Sequence, residues 1–155
     1  MKIVVSLLFA LLASAGVARA AEPDRVVAYT IVNAREIPDS LTGAAGDPER
    51  GRQLYFNREV TGCSGCHGSP GGPGAQLNSA EEVAPSLSGI ASRRTIGRLR
   101  LWLVAPEVIR PETGMPSYYA IGQRQNPEDP RFGETRLTAA EIEDLLAYLM
   151  RQTDP

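Results

Sequence analysis

Histidine, cysteine and lysine are nearly missing from this sequence. Its 155 residues hold one histidine, His67, two cysteines, Cys63 and Cys66, and one lysine, Lys2. Three Cys/His residues in the whole chain cannot complete the usual four-ligand sets of structural zinc. A thioredoxin-type redox pair is disfavoured for another reason, since no βαβ pattern surrounds the cysteines. After the first twenty residues no apolar run is long enough to cross a bilayer, which takes about 20 residues. Positive charge is slightly outnumbered. There are 16 basic and 18 acidic residues, and without Lys2 and Arg19 the balance is 14 against 18, or −4. A mildly acidic chain with no lysine beyond position 2 argues against nucleic acid or an anionic membrane as partner.

The first twenty residues have the organisation of an export signal. Lys2 forms a short positive start, Ile3 to Ala13 is almost wholly apolar, and Ala18-Arg19-Ala20 is a small-x-small cleavage site. An uncleaved N-terminal anchor is the alternative. Cleavage after Ala20 leaves 135 of the 155 residues, enough for one domain with a modest core. The expected location is therefore the periplasm, as a soluble mature protein.

In an exported chain two cysteines ordinarily mean a disulfide. Here they occur as Cys63-Ser64-Gly65-Cys66-His67, with the sole histidine directly after the second. C-x-x-C-H is the attachment sequence of c-type haem. Two thiols three positions apart match two vinyl groups on one porphyrin edge, and the adjacent imidazole is placed to bind the iron axially. Random placement of two Cys and one His would give this pattern roughly once in ten thousand arrangements. One covalent haem c is the expectation, held by Cys63, Cys66 and His67. With both thiols consumed as thioethers, the mature chain keeps neither a free thiol nor an imidazole base, so it carries no catalytic residue of its own.

A second axial donor must come from elsewhere, because histidine is exhausted. Of Met1, Met115 and Met150, the first leaves with the signal, and Met150 sits on an amphipathic segment where packing explains it. Met115 lies in a strap running from Pro106 through Pro111 to Pro116, with Gly114 beside it. Pro111 and Pro116 exclude a regular helix and stiffen the chain, while glycine permits close approach. The expected metal ligands are His67 and Met115, an arrangement that raises the reduction potential. A methionine merely packed on the haem is the bland alternative. Two further cofactor-binding residues are expected. The Pro85 carbonyl accepts the His67 Nδ1 proton, against the alternative of an ordinary turn proline. Trp102 packs against the macrocycle rather than relaying electrons.

The remaining elements read as a helical shell. Asp47-Pro48-Glu49 opens a helix to about Asn57, and Thr138 to Glu141 is a capping box before Ile142, Leu145, Leu146 and Leu149. Gly51 lets these two helices cross closely, with Tyr55, Leu145 and Tyr148 filling the crossing. Arg93 to Ala105 reads as one amphipathic helix with Ile96, Leu99, Trp102 and Leu103 on its apolar face; most arginines elsewhere on it read as solvated, with neutralisation of haem propionates as the alternative. Residues 68–85 form a Gly/Pro-rich loop over one side of the haem. The predicted fold class is all-α, a class I cytochrome c-like domain over 47–155, preceded by the signal peptide 1–20 and an extended arm over 21–46. The arm's Val26-Val27-Ala28-Tyr29 and Ile31-Val32 pack on their own domain or on a partner.

Four stretches together resemble the sulfur-oxidation cytochrome SoxX family: LTGAAGDPERGRQLYFNREVTGCSGCHG, VAPSLSGIASR, ETGMPSYY and LTAAEIEDLLAYL. The resemblance runs from about Val26 to Met150, and Ala84 stands where such cytochromes carry glycine. It implies a monohaem electron-transfer subunit in a heterodimer with a SoxA-like haem protein, the SoxAX complex. That partner holds a reactive cysteine-ligated haem. The complex links thiosulfate oxidatively to a cysteine of a SoxYZ-type carrier, and the subunit resembled here passes the electrons to a soluble cytochrome c. By position the resemblance implies the same haem residues, Cys63, Cys66, His67 and Met115. A free periplasmic monohaem electron carrier is the alternative, and a ligand-binding haem protein with an open sixth position is a third.

Overall fold

The computed structural model describes residues 26–70, 84–122, 128 and 133–153. The signal 1–20, the start of the arm and most of the loop 68–85 lie outside these. Among the described residues all regular elements are helices: α1 Pro48–Phe56, α2 Cys63–His67, α3 Ile90–Arg93, α4 Ile96–Val104, α5 Pro106–Ile109 and α6 Ala139–Leu149. The expected all-α class is the one observed.

Both long terminal helices start where their capping chemistry puts them. Asp47 accepts from the amides of Glu49 at 2.9 Å and Arg50 at 3.3 Å, and Pro48 occupies a first-turn position with no amide to satisfy. At α6 the Glu141 amide donates to the Thr138 hydroxyl at 3.0 Å, while the Thr138 amide donates to the Glu141 carboxylate at 2.8 Å. Helix α6 then buries Ile142, Leu145, Leu146, Tyr148 and Leu149. Full burial stabilises each such aliphatic side chain by about 1.5–3 kcal/mol.

The two helices cross at Gly51. A Cβ there would overlap the Asp144 carbonyl and lie 2.9 Å from the Tyr148 Cβ, so the crossing requires glycine for want of space. Tyr55 and Tyr148 meet beside it with ring centroids 5.4 Å apart. Asp144 fastens the same junction, accepting from the Asp47 amide at 2.6 Å and from two Arg50 nitrogens at 2.8 and 3.1 Å.

The arm divides in two. Val26, Val27, Tyr29 and Val32 are exposed, whereas Ile37 and Leu41 are in the hydrophobic core. Between them Val32 pairs with Glu36 across a tight turn whose Asn33 and Ala34 both have positive φ. Beyond the turn, an ion pair anchors the chain to the helices. Arg100 donates to both carboxylate oxygens of Glu143 at 2.8 and 2.9 Å, and both side chains are almost wholly buried. Arg100 also donates to the carbonyls of Ile37 at 2.7 Å and Pro38 at 3.1 Å, and the Leu41 amide donates to Glu143 at 2.9 Å. The pair is tolerated because its remaining donors and acceptors are used by arm backbone.

This anchoring corrects the single helix expected over 93–105. The chain breaks at Arg94, and Thr95 caps a new helix by accepting from the Arg98 amide at 3.1 Å. Ile96 is exposed, while Leu99, Leu101, Leu103 and Val104 are buried together with Arg100. The face toward the core is thus wider than the expected stripe and includes a charge. A second correction concerns the proline strap, whose first four residues, Pro106–Ile109, form one helical turn with proline at a starting position.

Candidate haem site

The motif Cys63–His67 is itself the short helix α2, entered and left through glycines with positive φ, Gly62 at 65° and Gly68 at 70°. Three residues apart on one helix, Cys63 and Cys66 share a face. Cys63 is buried and Cys66 exposed, and neither forms a disulfide. Burial pushes the Cys63 thiol up from its ordinary pKa, against the opposing effect of hydrogen bonds from Thr61 and Tyr118.

Two tyrosines clamp the backbone at either end of this helix. The Tyr118 hydroxyl donates to the Thr61 carbonyl at 2.7 Å, and the Tyr55 hydroxyl donates to the Gly68 carbonyl at 2.7 Å. Desolvation raises both phenol pKa values, so both stay protonated donors. Tyr55 was legible only as filler for the helix crossing. Tyr118 was not singled out by the sequence, because its partner lies 57 positions away.

His67 is half-buried, with Nδ1 2.7 Å from the Pro85 carbonyl oxygen. A carbonyl can only accept, so Nδ1 carries the proton and Nε2 keeps its lone pair for a metal. Ala84 has no positive φ, which is why alanine is accepted where glycine was expected. Among the described residues no three His, Cys, Asp or Glu side chains cluster to hold a bare metal ion. An imidazole oriented through Nδ1 beside a thiol pair instead suits an iron that would arrive already bound in a macrocycle.

Met115 is half-buried and packs against the hydrophobic cluster that contains Cys63. Its amide donates to the Thr113 hydroxyl at 3.1 Å. Just beyond it the strap is tied down, with the Ser117 hydroxyl donating to the Val104 carbonyl and the Tyr118 amide to the Leu103 carbonyl at 2.9 Å. Tyr118 therefore joins the Met115 strap to the backbone entering the cysteine helix. Met150 is half-buried at the end of α6 and packs on the core. Trp102 is half-buried on α4.

A C-x-x-C-H helix with an oriented imidazole, set in an all-α shell with crossing terminal helices, defines a cytochrome of class I architecture. The cytochrome c family model matches residues 48–153, and the chain belongs to the cytochrome c family. Electron transfer through covalently bound haem c follows from that membership. Among solved structures, the chain is similar to one in the crystal structure of SoxXA from P. pantotrophus. The two are 28% identical with a TM-score of 0.63, and the match covers 81% of this chain and 95% of the other. No curated protein compared with the chain is a significant match.

Proposed function

We propose that this chain is the monohaem, electron-accepting subunit of a thiosulfate-oxidising complex of the SoxAX type. The observation that carries the reading is the similarity to a SoxXA chain over 81% of the sequence, more than the 48–153 core common to cytochromes c. The four sequence stretches quoted above support it independently. In this reading Cys63 and Cys66 form the thioethers, His67 and Met115 bind the iron, Pro85 fixes the imidazole and Trp102 packs against the macrocycle. The mature protein begins after Ala20 and works in the periplasm as a heterodimer with a SoxA-like haem protein.

Joining a carrier cysteine thiol to thiosulfate forms one sulfur–sulfur bond and releases two electrons and a proton. The haem supplies a one-electron couple when bound, so the two electrons leave through this chain one at a time, each passing to a soluble cytochrome c. The polypeptide contributes positioning. Pro85 holds His67 in one tautomer, Tyr55 and Tyr118 fix the cysteine helix, and the strap presents Met115. With its thiols consumed, the chain cannot accept the sulfur itself, which leaves that step to the partner and the SoxYZ-type carrier.

Co-expression of the mature holoprotein with a SoxA-like haem protein tests the reading. A stable heterodimer by sedimentation is expected. A chain that stays monomeric and exchanges electrons equally well alone would establish the free-carrier function instead.

A further inference from the structure

The chain is acidic overall, yet four of its arginines converge on one groove. A cleft of about 650 Å³ is lined by Asn33, Arg35 and Glu36 of the arm turn, by Arg93, Arg94, Thr95 and Arg98 at the α3–α4 junction, and by Ile109 at the end of α5. Among the described residues the only carboxylate lining it is Glu36, which accepts from the Thr95 hydroxyl at 3.0 Å. Among the described residues none of the four guanidinium groups is ion-paired. Their hydrogen bonds go to main-chain carbonyls instead. Arg98 donates to Arg35 at 2.8 Å, Arg94 to Arg93 at 2.8 Å, and Arg93 to Ser88 at 2.6 Å and to Ser86 and Gly89 at 3.3 Å.

Such bonds orient Arg93, Arg94 and Arg98 without neutralising them, so positive charge is concentrated in one groove of a net negative chain. The groove also lies close to the iron ligand. Arg93 grips Ser86 and Ser88, directly after Pro85, whose carbonyl meets His67. It is open and far larger than one small oxyanion, and its charges come from separate segments, which suits several carboxylates on a protein surface. We propose that this arginine-lined groove docks an acidic face of the chain's electron-transfer partner. The proposal rests on the electron-transfer role of the family and not on the identity of the sulfur-oxidising complex.

The test uses the reduced holoprotein and an acidic blue-copper protein in its Cu(II) form. One electron leaves the ferrous haem and converts Cu(II) to Cu(I), followed by rapid mixing over a range of salt. Near 0.01 M salt, where screening acts over about 30 Å, Arg35→Gln/Arg94→Gln is expected to lower the second-order rate constant about tenfold, two exposed charge pairs being worth about that factor. The variant should also flatten the salt dependence. Arg52→Gln/Arg58→Gln, an equal charge change on exposed residues outside the groove, should leave both unchanged, and an uncharged cobalt(III) oxidant should react equally with all three proteins. An unaltered rate in Arg35→Gln/Arg94→Gln, or an equal loss in Arg52→Gln/Arg58→Gln, would overturn the proposal. So would inhibition by millimolar sulfate at constant ionic strength, which would make the groove a small-anion site. A protein that cannot reduce even the cobalt complex fails as an electron carrier, and the docking proposal falls with it.

Discussion

Replacing Glu143 by glutamine should be among the most damaging single changes outside the haem residues. The substitution keeps the shape of the side chain and removes its charge, leaving Arg100 as a buried cation. Breaking a buried pair from one side costs about 3–5 kcal/mol, a large share of the 5–15 kcal/mol (roughly) that holds a domain together. At about 4 °C per kcal/mol for a domain of this size, the melting temperature should fall by about 12–20 °C. Arg100→Met should cost a similar amount, since it strands the carboxylate. The pair is coupled, so Arg100→Met/Glu143→Leu should cost much less than the sum of the singles. It should not recover fully, because the Ile37 and Pro38 carbonyls and the Leu41 amide lose their partners, at about 1–3 kcal/mol for each one left buried and unpaired. Thermal unfolding of the parent, Arg100→Met, Glu143→Leu and the double variant as holoproteins, followed by far-UV circular dichroism, gives the cycle. Strict additivity, or a Glu143→Gln variant as stable as the parent, would refute the role of this pair in fixing residues 37–41.

Tyr118→Phe should cost about 1–3 kcal/mol by unpairing the Thr61 carbonyl, and in a thermal scan the optical signature of methionine ligation should disappear before the helices unfold. Gly51→Ala would gain up to about 1 kcal/mol from helix propensity, but overlap with the Asp144 carbonyl should outweigh it, giving a net loss by chemical denaturation. The amides of Glu49 and Arg50 hold the Asp47 carboxyl below its ordinary value of 3.8. Its stabilisation is therefore complete above that value and lost as the pH falls through the lower folded-state value, so the gap between parent and Asp47→Ala in acid titrations should narrow there. Met115→Ala should abolish the far-red sulfur-to-iron charge-transfer band and lower the reduction potential. An unchanged spectrum would remove Met115 from the ligand set.

The elements that sequence predicted well are those whose signals are local. Asp47-Pro48 and Thr138 to Glu141 cap their helices with residues at most three positions away, and Gly51 with Tyr55 and Tyr148 follows from helical spacing. The pairing of His67 with the Pro85 carbonyl came from a proline near the right point of a loop, and the two lie 2.7 Å apart. What sequence could not show depends on distant partners. Arg100 looked solvated because Glu143 and the Ile37 carbonyl are 43 and 63 positions away. Tyr118 was invisible for the same reason. Thr95 gave a local signal, a threonine ahead of an apolar run, but the continuous helical period of 93–105 obscured it.

The central claim is that electrons from thiosulfate coupling leave through the haem held at Cys63–His67. Its most direct measurement is rapid mixing of the oxidised heterodimer with thiosulfate and a SoxYZ-type carrier, monitored at the absorption of this chain's haem. The account predicts reduction of that haem only when thiosulfate and the carrier's cysteine are both present, followed by reoxidation on adding a soluble cytochrome c. A haem that stays oxidised while the carrier is converted would contradict it.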